Sequence, residues 1–189
     1  MTDFSQDLEQ CLKVLSEGGT ILYPTDTVWG IGCDATNEAA VERIIQLKGK
    51  ESTKGLIVLV ASERDLLKHV ASLDLSIFDQ LEQRKEPTTV IYDGGTAVAE
   101  NVLTPEGTIA IRIVKEDFCR HLIKRFRKPI VSTSANFHGS TTPRFYAEID
   151  ADLKKSVDYI VQYRQDDTQI RPPSSILKAL PGGLWKVLR

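Results

Sequence analysis

A chain of 189 residues can bury one substantial core but is short for two ordinary domains, so a single domain over residues 1–189 is expected. With 41% hydrophobic and 26% charged residues it has the profile of a globular protein, and a net charge of −2 with a pI near 6.0 argues against a dedicated nucleic-acid binder, whose domain is normally basic. The opening "MTDFSQDLEQ" is polar and acidic where a leader needs basic and then apolar residues, and the apolar run Leu56 to Ala61 is too short for a bilayer, so the expectation is a cytoplasmic protein without membrane contact.

In chain order, "DLEQCLKVLSEGG" sets Leu8, Leu12 and Leu15 on one helical face and stops at Gly18-Gly19. A strand from Thr20 to Tyr23 follows, and Pro24, which cannot donate to a sheet, marks its end or an edge. The polar knot Thr25-Asp26-Thr27 then interrupts the apolar run before Val28-Trp29. Buried without partners, such groups cost about 1–3 kcal/mol each, so either the local backbone or a ligand must satisfy them. "ATNEAAVERIIQLK" offers Thr36 or Asn37 as an N-cap and Val41, Ile44 and Ile45 on a common face.

After the loop "KGKESTKG", the continuously apolar "LIVLVA" (56–61) reads as a strand covered on both faces. Helical stretches are expected around 63–71 and 74–84. Strands are expected at 88–94, 107–114, 129–133, 158–163, 174–179 and 184–188, with helices over 116–128 and 143–156. Several strands follow one another without a crossover helix. The pattern therefore fits an α/β fold with a mixed parallel and antiparallel sheet flanked by helices better than a purely doubly wound one.

Three widely spaced cysteines, Cys11, Cys33 and Cys119, suggest buried thiols rather than a disulfide framework, and His69, His121 and His138 have no neighbour at metal-ligand spacing. Gly30-x-Gly32-x-x-Ala35 approximates a dinucleotide fingerprint. In the true motif, however, the glycine turn follows the first strand directly and opens a helix, whereas here the polar knot and two bulky apolar residues intervene. No Walker-type phosphate loop exists anywhere in the chain.

Two other segments carry candidate chemistry. Lys48, Lys50 and Lys54 crowd the "KGKESTKG" loop, where they fit equally an anion cradle or lysines stabilised by a helix C-terminus. In "VSTSANFHGSTTPR" (131–144), Ser132, Ser134 and Asn136 alternate and share one face of an extended segment. Such a loop at a strand end is where α/β folds place ligand contacts, although a hydroxyl-rich turn before Arg144 has the same composition. The basic stripe Arg120, Lys124 and Arg127 or Lys128 reads first as a solvated helix face.

Taken in order, "YPTDTVWGIGCDA", "LKGKESTKGLIVLV", "TIAIRI", "IVSTSAN", "PSSI" and the closing "LR" resemble the YrdC-like family of L-threonylcarbamoyladenylate synthases, from about Leu8 to Arg189. The resemblance implies a twisted mixed sheet around a concave, positively lined cavity. There L-threonine, bicarbonate and ATP, with magnesium (Mg2+) on the phosphates, become threonylcarbamoyl-adenylate and pyrophosphate. Transferase proteins then pass the threonylcarbamoyl group to a tRNA adenosine next to the anticodon, and the basic stripe is the candidate surface for a weak tRNA or double-stranded RNA contact. By the same resemblance Thr27, Arg112, Ser132 and Ser174 contact threonine, with Trp29 as an aromatic wall. Arg112 would grip the carboxylate as a two-pronged fork. Lys48, Lys50, Ser134 and Asn136 form the catalytic motifs, and Lys50, Lys54, Thr108, Ser134, Thr142 and Arg189 contact ATP. Two positions depart from the family: Lys50 stands for its arginine, and Val114 for a common proline.

Overall fold

The computed structural model describes residues 4–49 and 56–189. Its centre is a nine-stranded sheet built from β1 (Ile21–Tyr23), β2 (Gly30–Asp34), β3 (Ile57–Val60), β4 (Thr88–Tyr92), β5 (Ile109–Ile113), β6 (Ile130–Ser134), β7 (Tyr159–Ile160), β8 (Ser175–Leu180) and β9 (Leu184–Val187). The spatial order is β7-β1-β2-β6-β3-β5-β4-β8-β9. The pairs β1–β7, β3–β5 and β4–β8 are parallel and the other neighbours antiparallel, which is the mixed sheet that the succession of strands predicts.

Helices α1 (Ser5–Ser16), α2 (Glu38–Lys48), α3 (Glu63–Leu66), α4 (Ser76–Glu82), α5 (Asp117–Phe126) and α6 (Ala151–Lys155) flank this sheet. Side-chain caps start several of them: Asn37 accepts from Ala40 N, Glu116 from Cys119 N, and Asp150 from Asp152 N and Leu153 N. Helix α1 buries Leu8, Cys11 and Leu15 and packs on α5. Its buried Asp7 accepts from Tyr159 Oη, Gln162 N and Tyr163 N, which fixes the short edge strand β7. All three cysteines are buried free thiols, and burial pushes the Cys33 pKa up to about 12, which makes it inert at neutral pH.

Several elements differ from the sequence expectation, among them the strand expected at 158–163, of which only Tyr159–Ile160 forms β7. Residues 143–156 do not form one helix: a 3-10 turn at Tyr146–Glu148 is followed by α6, because the Asp150 carboxylate takes two backbone N–H groups and begins a new helix. The stretches at 63–71 and 74–84 contain only the shorter α3 and α4. Strand β2 is not among the expected strands, and it places Gly30 and Gly32 inside the sheet rather than in a strand-to-helix turn, which removes the physical basis of the dinucleotide match.

Gly32 is required by space, not by backbone angle. A Cβ there would lie 2.7 Å from the Tyr23 ring and 2.7 Å from Val131 O, and the carbonyl is fixed in the β2–β6 ladder. Gly32→Ala is therefore expected to lower stability by about 1–3 kcal/mol, as overpacking a buried position does. Urea unfolding should show a reduced midpoint with an unchanged slope, and a wild-type midpoint would show that the strands part without cost.

Candidate functional site

Strand alternation sends one set of side chains from several strands into a single cavity of about 900 Å³. Ser132 and Ser134 come from β6, Ala110 and Arg112 from β5, Thr89 and Ile91 from β4, Ile57 from β3 and Ile176 from β8. Gly30 also lines it, and a Cβ at that position would stand 2.8 Å from Ser132 Oγ. The missing side chain keeps that hydroxyl accessible. Among the described residues the lining carries five cationic side chains, Lys48, Arg112, Arg144, Arg171 and Arg189, and no Asp or Glu side chain.

Lys48 ends α2 and turns its ammonium inward, where it is 7% exposed. Its Nζ donates to Ser134 O (2.9 Å), Asn136 O (2.5 Å) and Asn136 Oδ1 (3.0 Å). Ser134 Oγ donates to the same Asn136 Oδ1, and Asn136 Nδ2 donates to Phe137 O and Ser140 O. The lysine thus holds the end of β6 and the turn after it. Burial lowers its pKa from the ordinary lysine range to about 8.

The polar knot faces the same cavity, and its backbone conformation satisfies it in part. Thr25 Oγ1 donates to Val28 O (2.7 Å) and accepts from Thr27 N (3.0 Å). Because the one hydroxyl hydrogen of Thr25 is thereby used, Thr27 is the donor in the 3.1 Å contact between the two hydroxyls. The remaining lone pairs of Thr27 are left as acceptors for a ligand's N–H or O–H. Trp29 is buried beside it and packs on Tyr146 with ring centroids 5.0 Å apart.

Arg112 is 4% exposed, and its Nη2 lies 3.1 Å from Oδ1 of Asp26, itself 10% exposed. The guanidinium is therefore already paired from behind, while its Nε has no hydrogen-bond partner. A ligand carboxylate would meet a cation whose charge Asp26 shares. Farther along the wall Ser174 Oγ and Thr89 Oγ1 are 2.9 Å apart, Arg189 Nη2 donates to Ser174 O, and Thr108 Oγ1 lies 2.8 Å from Thr104 Oγ1.

The structure brings together Thr27, Lys48, Thr108, Arg112, Ser132, Ser134, Asn136, Thr142, Ser174 and Arg189 on this one cavity. Lys50 and Lys54 lie outside the described residues. Sequence reasoning does not single out Thr89, Thr104, His138 or Arg171 as lining residues, nor Asp26 as the partner of Arg112. The "PTDT" knot is the available signal for Asp26, but its partner is set by tertiary folding. In the basic stripe, Lys128 is committed to Asp34 at 2.6 Å and Arg120 approaches Asp117 at 3.6 Å.

Comparison with known proteins identifies the family. The Sua5/yciO/yrdC family model, described as telomere recombination, matches residues 13–189. The chain is 36% identical over 145 residues to the threonylcarbamoyl-AMP synthase of Saccharophagus degradans, covering 75% of each chain. To that of Pseudoalteromonas translucida it is 31% identical over 179 residues, covering 93% of this chain and 94% of the relative. Among solved structures, Escherichia coli YciO superposes with a TM-score of 0.82 at 22% identity, covering 97% of this chain and 88% of that one. Pyrococcus abyssi Sua5 in complex with L-threonine also gives a TM-score of 0.82 at 23% identity, and this chain spans 54% of its length. With a family model matched from residue 13 to the last residue, and relatives above 30% identity across most of its length, the chain belongs to the Sua5/YciO/YrdC family.

Proposed function

We propose that the protein makes threonylcarbamoyl-adenylate from L-threonine, bicarbonate and ATP, releasing pyrophosphate and water. The cavity lined, among the described residues, by cationic side chains without an Asp or Glu is the observation that carries this reading, because all three reactants are anionic or carry an anionic group. The similarity to proteins named threonylcarbamoyl-AMP synthase, and the shared fold with P. abyssi Sua5 complexed with L-threonine, support it.

In this reading threonine occupies the end formed by Thr27, Arg112, Ser132 and Ser174, with its methyl group against the wall near Trp29. The lone pairs of Thr27 accept from the amine or hydroxyl, and Arg112 takes the carboxylate. The triphosphate lies toward Lys48, Ser134, Asn136, Thr108, Thr142 and Arg189, joined by Lys50 and Lys54. The threonine nitrogen attacks bicarbonate and water is lost. A carbamate oxygen then attacks the α-phosphorus, and the bond to pyrophosphate breaks. No side-chain nucleophile is needed: cations lower repulsion between the anions and stabilise charge on the transferring group, and positioning supplies much of the rest.

Mg2+ enters bound to the triphosphate, as part of the substrate. Among the described residues no group of three or more His, Cys, Asp or Glu side chains could hold a metal. The product passes to transferase proteins for attachment to a tRNA adenosine in the cytoplasm, and the exposed Lys124 and Arg127 are the stripe residues left for a weak RNA contact. No helix among the described residues is long and apolar enough to cross a membrane.

The direct test is pyrophosphate release that requires threonine and bicarbonate together. Release with ATP alone, or none at all, sinks the reading. Ser134→Ala and Asn136→Ala are each expected to reduce that rate by about tenfold or more, the order of losing a preorganised polar contact, with circular dichroism unchanged. A variant that melts far below wild type while its folded fraction stays fully active would show these residues to be structural.

The rate should also fall above pH 8. Below its pKa of about 8 Lys48 is an ammonium with three hydrogens for three oxygens; above it, the amine has two and carries no charge. Lys48→Arg, which stays charged, should move the alkaline limb upward by at least one pH unit whatever its effect on the maximum rate. An unmoved limb would assign it to another group.

A further inference from the structure

The alternation that lines the substrate cavity also builds a second one on the opposite face of β4 and β5. It measures about 510 Å³, with Val90 and Ile111 on its sheet side and Leu66 of α3 and Leu81 of α4 facing them. Two buried polar groups line this apolar space without a hydrogen bond. One is the Tyr92 hydroxyl, on a residue 1% exposed, and the other is the Asp26 carboxylate, which has the Arg112 guanidinium as an ion-pair partner at 3.1 Å but accepts no aligned hydrogen bond. Leaving the Tyr92 hydroxyl unmet is costly, and a native protein usually meets such a group with solvent or a ligand.

The charges select the kind of ligand. Asp26 and Glu116 are the least exposed carboxylates of the lining, at 10% and 11%, and the exposed Glu63, Glu82 and Glu86 add negative charge. Against these five carboxylates stand, among the described residues, three bases, of which Lys85 is exposed, Lys115 donates to Arg84 O and Arg171 pairs with Asp167; Glu116 and Glu86 are themselves approached by Arg164 and Arg84. Apolar walls, an acidic lining and a hydroxyl that can accept a hydrogen bond suit an ammonium carried on a small apolar body.

Asp26 also links the two cavities. It lines the rear one, whereas its partner Arg112 lines the substrate cavity. We propose that the rear cavity binds a small apolar amine in its ammonium form, that the ammonium pairs with Asp26, and that Arg112 is thereby released toward the carboxylate in the substrate cavity. The second half rests on the reading of Arg112 as the threonine contact. Coupling of this kind is reciprocal: the amine must tighten threonine binding by the factor by which threonine tightens the amine.

The test uses the full chain, calorimetry, and benzylamine as probe with benzyl alcohol as its neutral counterpart. Saturable binding of benzylamine is expected, at least tenfold weaker for benzyl alcohol. It should weaken at least tenfold in Asp26→Asn and in Leu81→Trp, which fills the cavity from α4 and guards against a folding defect in the first variant. With benzylamine saturating, threonine should bind at least threefold tighter to wild type and with unchanged affinity to Leu81→Trp. Benzyl alcohol binding as well as the amine, amine binding indifferent to both substitutions, or threonine affinity unmoved by bound amine would each overturn the proposal. Amine binding that depends on Asp26 in a protein that binds no threonine would sink the threonine reading instead and leave the rear cation site standing.

Discussion

A buried ammonium organises the working half of this molecule. Lys48 is the last residue of α2, and its three donors meet three oxygens from the end of β6 and the turn that follows. An ammonium withdrawn from water is strongly destabilising unless such partners are in place. Helix, strand end and turn are therefore coupled: the lysine can be buried only when Ser134 and Asn136 present their carbonyls, and that turn is held open to the cavity only when the lysine is there. From Asn136 the chain of hydrogen bonds continues to Phe137 O and Ser140 O, so one cation shapes the cavity wall from the end of α2 to Ser140.

The rest of the cavity obeys a related constraint. A pocket lined, among the described residues, by five cationic side chains must hold them close together in a partly desolvated space. The structure meets this by placing counter-charges outside the lining: Asp26 behind Arg112, Glu148 on Arg144 and Asp167 on Arg171. Each arginine keeps its charge and some donors while its repulsion from the others is reduced. Arg189 is steadied differently, by donating to the Ser174 carbonyl, which ties the C-terminal residue to the segment leading into β8.

The parts of this architecture that local chemistry controls are legible in the sequence. Continuous apolar runs such as "LIVLVA" and alternating ones such as "IAIRI" become β3 and β5 because burial on both faces, or on one, is written into their period. The cap at Asn37, one of the two positions offered before α2, is equally local. Strand β2 is not legible, since two glycines remove the β-branched signal and its pairing depends on β1 and β6, which are remote or on the far side of the knot. The motif residues of the cavity could be read because they cluster in short segments. The Asp26–Arg112 pair could not, because nothing local to "PTDT" identifies the strand that will lie beside it.

The same two glycines explain how this fold differs physically from those that bind nucleotides through a glycine-rich turn. There, glycine lets the backbone approach a pyrophosphate at a helix N-terminus. Here Gly30 and Gly32 share one face of a strand inside the sheet, where a Cβ would meet Ser132 Oγ at the first and the Tyr23 ring at the second. The first absence opens the cavity floor, and the second lets a large buried ring pack against the strand. Neither points a backbone N–H at a ligand, because those groups are engaged in the ladder. Anion affinity in this cavity must therefore come from side chains, and the lining supplies them as lysine and arginine from α2, β5, the loops after β6 and the chain terminus. Side-chain cations need counter-ions and buried oxygens to be held in place, whereas backbone amides do not. That difference is why Asp26 and the carbonyls of Ser134 and Asn136 belong to the machinery as much as the residues that face the ligand.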